Sequence, residues 1–254
     1  MKNSIMKKLT ILGFALVGIG IIICLATGQT LLGNSIRDHS DVKMVDSGNY
    51  DLSKHKNKEL FVNANYSKIE INRSNDNKIH YEFHTANKKQ FSIEGINIIN
   101  AEAPIAIEVI NKNTFVGFNN IGNSFIKISV PDSLEKLSVD NALGEIEISN
   151  ISELNYLEVN SSVGGMKIKN STINKEANLE SSVGDIKLDN INVKGNLLSK
   201  NSMGDIKLNE VYAGDYIINN SIGSIKINNK KNFKYSRDNI RTSIGSVKIN
   251  EGEE

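Results

Sequence analysis

Six glycines dominate the second half of the chain: Gly144, Gly164, Gly184 and Gly204 stand 20 residues apart, Gly223 follows after 19 and Gly245 after 22. Around them run "NALGEIEI", "SSVGGMKI", "SSVGDIKL", "NSMGDIKL", "NSIGSIKI" and "TSIGSVKI". A fixed period of this size marks a stacked repeat, in which each unit buries its apolar face only against its neighbours. Any motif inside a unit therefore has to be read as one copy of six.

The residues two and four after each glycine are apolar, from Ile146 and Ile148 to Val247 and Ile249, and a charged residue separates them. That is the alternation of a half-buried strand. An apolar residue also precedes each glycine: Leu143, Val163, Val183, Met203, Ile222 and Ile244. Reading it as core leaves three steps to the next inward position instead of two, so the chain has to bend at the glycine. Glycine takes positive φ without steric cost, which explains why this position is constant across the units.

A second apolar pair follows in each unit, such as Leu157 and Val159 or Tyr216 and Ile218. Six residues after the glycine come Asn150, Asn170, Asn190, Glu210 and Asn229. Asn tolerates left-handed backbone and its amide can bond the copy above and below, so this position predicts a second corner carrying an Asn ladder. No unit contains the i, i+3, i+4 stripe of a helix. The pattern predicts an all-β fold, a single-stranded parallel β-helix (β-solenoid) of about 20 residues per coil over 140–250, wound right-handed as parallel crossovers are. Upstream, "LFVNANYSKIEINRS", "KIHYEFHTA", "PIAIEVINK" and "SFIKISVP" alternate too and are expected to form irregular early coils.

Residues 9–28, "LTILGFALVGIGIIICLATG", carry no charge, and a helix of that length spans a ~30 Å hydrocarbon core. Lys2, Lys7 and Lys8 precede it. The expectation is a basic cytoplasmic stub over 1–8, a transmembrane helix over 9–28 and an extracytoplasmic remainder. A cleaved signal peptide is the competing reading, although the run exceeds the ~7–15 apolar residues usual for one. Polar residues 29–58 read as a linker, and 59–254 as the solenoid domain. The single cysteine, Cys24, lies within the apolar run, which excludes an intramolecular disulfide and a cysteine-based zinc site. Three of the 30 basic residues fall in the first eight positions, so the rest is slightly acidic and offers no footing for nucleic acid.

Candidate sites are weighed against the repeat. Ser162, Ser182, Ser202, Ser221 and Ser243 recur with the glycines and are followed by no helix, so they are assigned to corner hydrogen bonding and not to a nucleophile elbow. The glycines make a poor phosphate cradle for the same reason. In "IHYEFH", His80, Glu82 and His84 share one strand face at ~6.8 Å steps, too spread to hold one metal. No catalytic, cofactor or metal site is expected. Lys167, Lys187, Lys207, Lys226 and Lys248 should stack on one outer face with Glu145, Asp185 and Asp205 beside them. A solvated, self-neutralising face is the first reading, and a face for an anionic cell-wall polymer such as teichoic acid is the alternative.

"YSKIEI" at 66–71, "IKISVP" at 126–131 followed by Leu134, and the ladder of S-x-G-[DS]-[IV]-K-[IL] units resemble the bacterial adhesin-like family called domain of unknown function 4097, which includes LiaG-like envelope proteins. The resemblance covers about residues 47–250. It implies a right-handed β-helix and a place in the cell envelope, and carries no catalytic residues over. The expected function is a membrane-anchored, non-enzymatic module for adhesion, binding or envelope stress, whose partner is an envelope protein or wall polymer. A polysaccharide-active β-helix enzyme is the rival; it would need converging carboxylates in a groove.

Overall fold

The structure, a computed structural model, describes residues 42–86, 88–112, 124–230 and 235–251. The stub at 1–8, the expected membrane helix at 9–28 and the first part of the 29–58 linker lie outside the described residues. Among the described residues no helix is long and apolar enough to cross a membrane.

Among the described residues sixteen strands form one continuous hydrogen-bonded stack. In its regular part, β8 (Lys136–Leu143), β9 (Ile146–Ser149), β10 (Leu154–Val163), β11 (Met166–Val183), β12 (Ile186–Met203), β13 (Ile206–Ile222), β14 (Ile225–Asn229), β15 (Ile240–Ile244) and β16 (Val247–Glu251) follow one another as coils. All pairings among them are parallel, and Met166 lies beside Ile186 and Ile186 beside Ile206, a repeat of 20 residues. This is a β-solenoid of about six turns.

Each full coil contains three paired runs, one more than the sequence reading distinguished. Between β11 and β12 the ladder covers 166–169, 171–173 and 176–181 and skips Asn170, Asn174, Lys175 and Ser182. The middle run turns Ile173, Ile191, Val193 and Val211 into the core. Its inward residues were hidden because Asn170 shifts the parity, so the alternation restarts. Columns such as Ile146, Met166, Ile186, Ile206 and Ile225 are 1 % exposed or less and pack on their copies one coil away. Each such burial stabilises the stack by roughly 1.5–3 kcal/mol.

The early region departs from the expected irregular coils. Two coils are present: β2 (Glu59–Ala64) with β3 (Lys68–Arg73), and β6 (Ile105–Asn111) with β7 (Ser124–Val130). Both stack in parallel, β2 between β6 and β8 and β3 between β7 and β9. In contrast β4 (Lys78–Thr85) runs antiparallel to β7, and β5 (Phe91–Asn97) antiparallel to β6. Strand β1 (Lys43–Asp51) then pairs antiparallel with β4. These three strands cover the N-terminal end of the solenoid and form the edges of its sheet there. Residues 43–54 thus belong to the folded unit and not to a linker, with Leu52 fully buried. Strand β1 escaped the periodicity argument because it is an edge strand with a register shift between Met44 and Asp46.

Candidate functional site

At the first corner of each coil, Gly144, Gly164, Gly184, Gly204, Gly223 and Gly245 carry φ between +130° and +147°. The N–H groups of the first five remain in the ladder: Gly184 donates to the Met203 carbonyl at 2.9 Å and Gly223 to that of Ile244 at 2.8 Å. The second corner is left-handed at Asn150, Asn170, Asn190 and Glu210, with φ from +48° to +59°. Asn150 Nδ2 donates to Asn72 Oδ1 at 3.0 Å, Asn170 to Asn150 at 3.4 Å and Asn190 to Asn170 at 3.0 Å. Asn229 behaves differently. It is buried, accepts the Val211 N–H on Oδ1 at 2.9 Å and donates to the Val211 carbonyl at 2.7 Å.

Two groups of corner residues fall where the sequence reading did not put them. The apolar residues before the glycines are not core: Val163 is 38 % exposed, Ile222 43 % and Ile244 65 %, and Val183 is half-buried. They form an outer ridge, because the bend at the glycine throws this side chain past the core. The corner serines Ser162, Ser182, Ser221 and Ser243 also stand exposed. The corner bonds come instead from the residue three before the glycine. Asn141 donates to the Gly144 carbonyl at 3.1 Å, Asn201 to Gly184 at 2.9 Å, Asn220 to Gly204 at 2.8 Å and Thr242 to Gly223 at 2.8 Å. Asn141, Asn201 and Asn220 are 3–4 % exposed. The available signal was a polar residue at an inward parity position, repeated from unit to unit.

Strand alternation turns the residue three after each glycine outward, and the parallel register aligns these residues in one row. Lys167 lies beside Lys187, Lys187 beside Lys207, Lys207 beside Lys226 and Lys226 beside Lys248. At ~4.8 Å per rung the five lysines cover about 19 Å. Towards the N-terminal end the row continues through Glu147, Glu70 and Lys127.

The neighbours of this row change along the axis. Glu147 takes Lys169 at 2.6 Å and Lys68 at 3.7 Å. The hydrogen bond from Lys169 holds its carboxyl below the usual range. Asp185 meets Lys187 at 3.3 Å and Lys207 at 3.9 Å, and Asp205 meets Lys207 at 3.1 Å. Asp205 also accepts the Ser224 N–H at 3.0 Å, and that bond, then Lys207, lowers its pKa. Lys207 in turn is raised by its bond to Asp205.

On the last two rungs the aspartate position is filled by Ser224 and Ser246, whose hydroxyls are 3.2 Å apart. The flanking ladder there is amide: Asn228 donates to Asn209 at 2.8 Å and Asn250 to Asn228 at 2.6 Å. Lys226 and Lys248 are exposed between these rows, and no described carboxylate forms an ion pair with either. Among the described residues, aspartates thus pair the ladder in its middle, at Lys187 and Lys207, and leave Lys226 and Lys248 at its C-terminal end without an ion pair.

The histidine strand is a polar outer face. His80 Nε2 lies 2.8 Å from Asp76, His84 Nε2 lies 3.2 Å from Glu82, and the His84 ring stacks on Phe125 with centroids 4.4 Å apart. The opposite residues, Ile79, Tyr81 and Phe83, are buried. Among the described residues no cluster of three His, Cys, Asp or Glu side chains could hold a metal ion.

The solved structures similar to the chain include three candidate adhesion proteins. A candidate cell adhesion protein from Clostridium sporogenes is 16 % identical with a TM-score of 0.46, over 83 % of this chain and 97 % of that one. A candidate adhesin from Bacteroides fragilis is 16 % identical at 0.41, over 83 % and 94 %. One from Parabacteroides distasonis is 12 % identical at 0.40, over 82 % and 97 %. No curated protein matches the chain. The family model described as Toastrack DUF4097 matches residues 57–251, and the chain belongs to that family.

Proposed function

We propose that the protein is a membrane-anchored, extracytoplasmic module of the bacterial cell envelope that binds or adheres and does no chemistry. One observation carries this reading: the polar side chains of the long faces repeat rung by rung along an axis, as in the row Lys167 to Lys248, and do not converge on one reacting centre. Catalysis needs groups within hydrogen-bond reach of the same atom, whereas an extended partner is met well by a rigid, periodic surface. The apolar segment at 9–28 supports the anchor, and the basic residues before it support an outward-facing solenoid.

The test uses intact cells carrying a C-terminal tag. Added protease should remove the tag, and full protection would refute the topology. Purified chain should be retained by cell walls without releasing sugar fragments, and release of such fragments would favour the polysaccharide-active enzyme.

A second reading is favoured by Lys226 and Lys248, which lie beside Ser224, Ser246 and amides where the preceding rungs have aspartates. They supply a cationic end for an anionic wall polymer. Binding there would be electrostatic and would weaken with salt.

A further inference from the structure

The run before each glycine corner presents another outward column: Asp140, Asn160, Glu180, Lys200, Asn219 and Arg241, adjacent in register from coil to coil. Over these six rungs the first half is acidic and the second half basic, and beyond Asp140 the column continues through Asn63 and Glu108. From the structure we infer that this face pairs with the same face of a second copy, antiparallel, about a two-fold axis between the Glu180 and Lys200 rungs.

The charge order is self-complementary. Under this operation Asp140 meets Arg241 of the second copy, Asn160 meets Asn219, and Glu180 meets Lys200, and each contact occurs twice, as an isologous interface requires. Sliding by one rung sets Lys200 against Lys200 or Glu180 against Glu180, so like-charge repulsion disfavours the registers one rung to either side. The axis lies along the strands and keeps each flanking column on its own side: Ser162 falls opposite Ser221 and Ser182 opposite Ser202, while Asn178 falls opposite Leu198 and Glu158 opposite Ile217. Small serines allow the two sheets to approach.

The side chains are already placed. Asn160 Nδ2 donates to Asp140 at 2.7 Å and Lys200 Nζ to Glu180 at 2.7 Å. A trough of about 630 Å³ runs along the column and gives room for the facing side chains. With rungs ~4.8 Å apart and ~3.3 Å per residue, the face measures roughly 24 by 20 Å. Two such faces bury on the order of 1,000 Å², the lower end for a specific interface, and this suits a reversible dimer.

Asp140 and Arg241 lie five rungs apart in one chain, about 24 Å, so any coupling between them arises between copies. The full chain in detergent is examined by sedimentation equilibrium as wild type, Asp140→Arg, Arg241→Asp and an equimolar mixture of the two variants. The wild type is expected to dimerise, and each variant alone to dissociate at least ~10-fold more readily because like charges then meet twice. In the mixture every facing pair is again of unlike sign, and dimerisation returns to within ~3-fold of wild type. A wild type that stays monomeric at about 100 μM, a dimer indifferent to both variants, or a mixture that remains dissociated would each overturn the inference.

Discussion

A Cβ atom built on Gly184 falls 2.0 Å from the carbonyl oxygen of Gly164, one coil earlier. The stacked corners therefore demand glycine twice over, once for φ +144° and once because backbone occupies the space a side chain needs. Gly184→Ala should combine ~1–3 kcal/mol of backbone strain with a forced separation of two coils, and lose more than about 3 kcal/mol in denaturant unfolding. Gly165 is the control. Its Cβ would come no closer than 3.9 Å, to the Asp185 carbonyl, and Gly165→Ala should change stability by less than about 1 kcal/mol. Equal losses in the two variants would show that close stacking is not what fixes the glycine.

Tyr216 is a large polar-tipped side chain with no exposed surface. Its hydroxyl donates to the Val211 carbonyl at 2.8 Å and accepts the Ala213 N–H at 2.8 Å, while burial raises its pKa to about 12. Tyr216→Phe leaves the Ala213 N–H without this acceptor, and the expected loss is about 1–3 kcal/mol. The Val211 carbonyl keeps Asn229, so the cost belongs at the lower end of that range. An unchanged urea midpoint would show that the hydroxyl is dispensable.

Asp76 lies at the turn before β4 and accepts hydrogen bonds from His80 at 2.8 Å, Ser74 at 2.8 Å and the Lys78 N–H at 3.0 Å. The bond from His80, then that from Ser74, lowers its pKa from 3.8 to about 2. The folded state thus favours the ionised form. This contribution is complete above pH 3.8 and is lost as pH falls through about 2. Asp76→Asn lacks this titration, so its Tm should fall less steeply than the wild type's between pH 4 and pH 2. Parallel Tm curves would remove Asp76 from the acid response of the N-terminal cap.

Much of the solenoid could be read from the period, because each coil repeats the same demands and six copies average out local noise. Ile186 and Leu188 are core since strand parity and the repeat agree on them. Val183 reads as core in the pattern but is only half-buried, because a bend breaks parity and a linear sequence does not show which side of the bend is inside. Asn201 is hidden for the opposite reason: a polar residue at an inward position looks like an interruption of the pattern, whereas it caps the Gly184 carbonyl. The cap formed by β1, β4 and β5 falls outside the repeat, so no sibling unit exposes its antiparallel pairing. The lysine row was legible, but its division into neutralised and cationic parts depends on cross-rung distances such as that from Lys207 to Asp185.

That division gives the lysine face a sharp test. Asp185→Ser with Asp205→Ser would give two central rungs the Ser-and-Lys arrangement of Lys226 and Lys248. If an anionic wall polymer is the ligand, this double variant should bind it more tightly at low salt, on the order of several-fold, as more uncompensated charge faces it. Lys226→Gln with Lys248→Gln should weaken binding by roughly tenfold and flatten its salt dependence. The two doubles move net charge in opposite directions at separate rungs, and thermal melts of both establish that the coils stay stacked. A parent chain that does not bind the polymer, or doubles that bind as the parent does, would leave the lysine row a solvated face whose role is to keep the sheet from pairing with other chains.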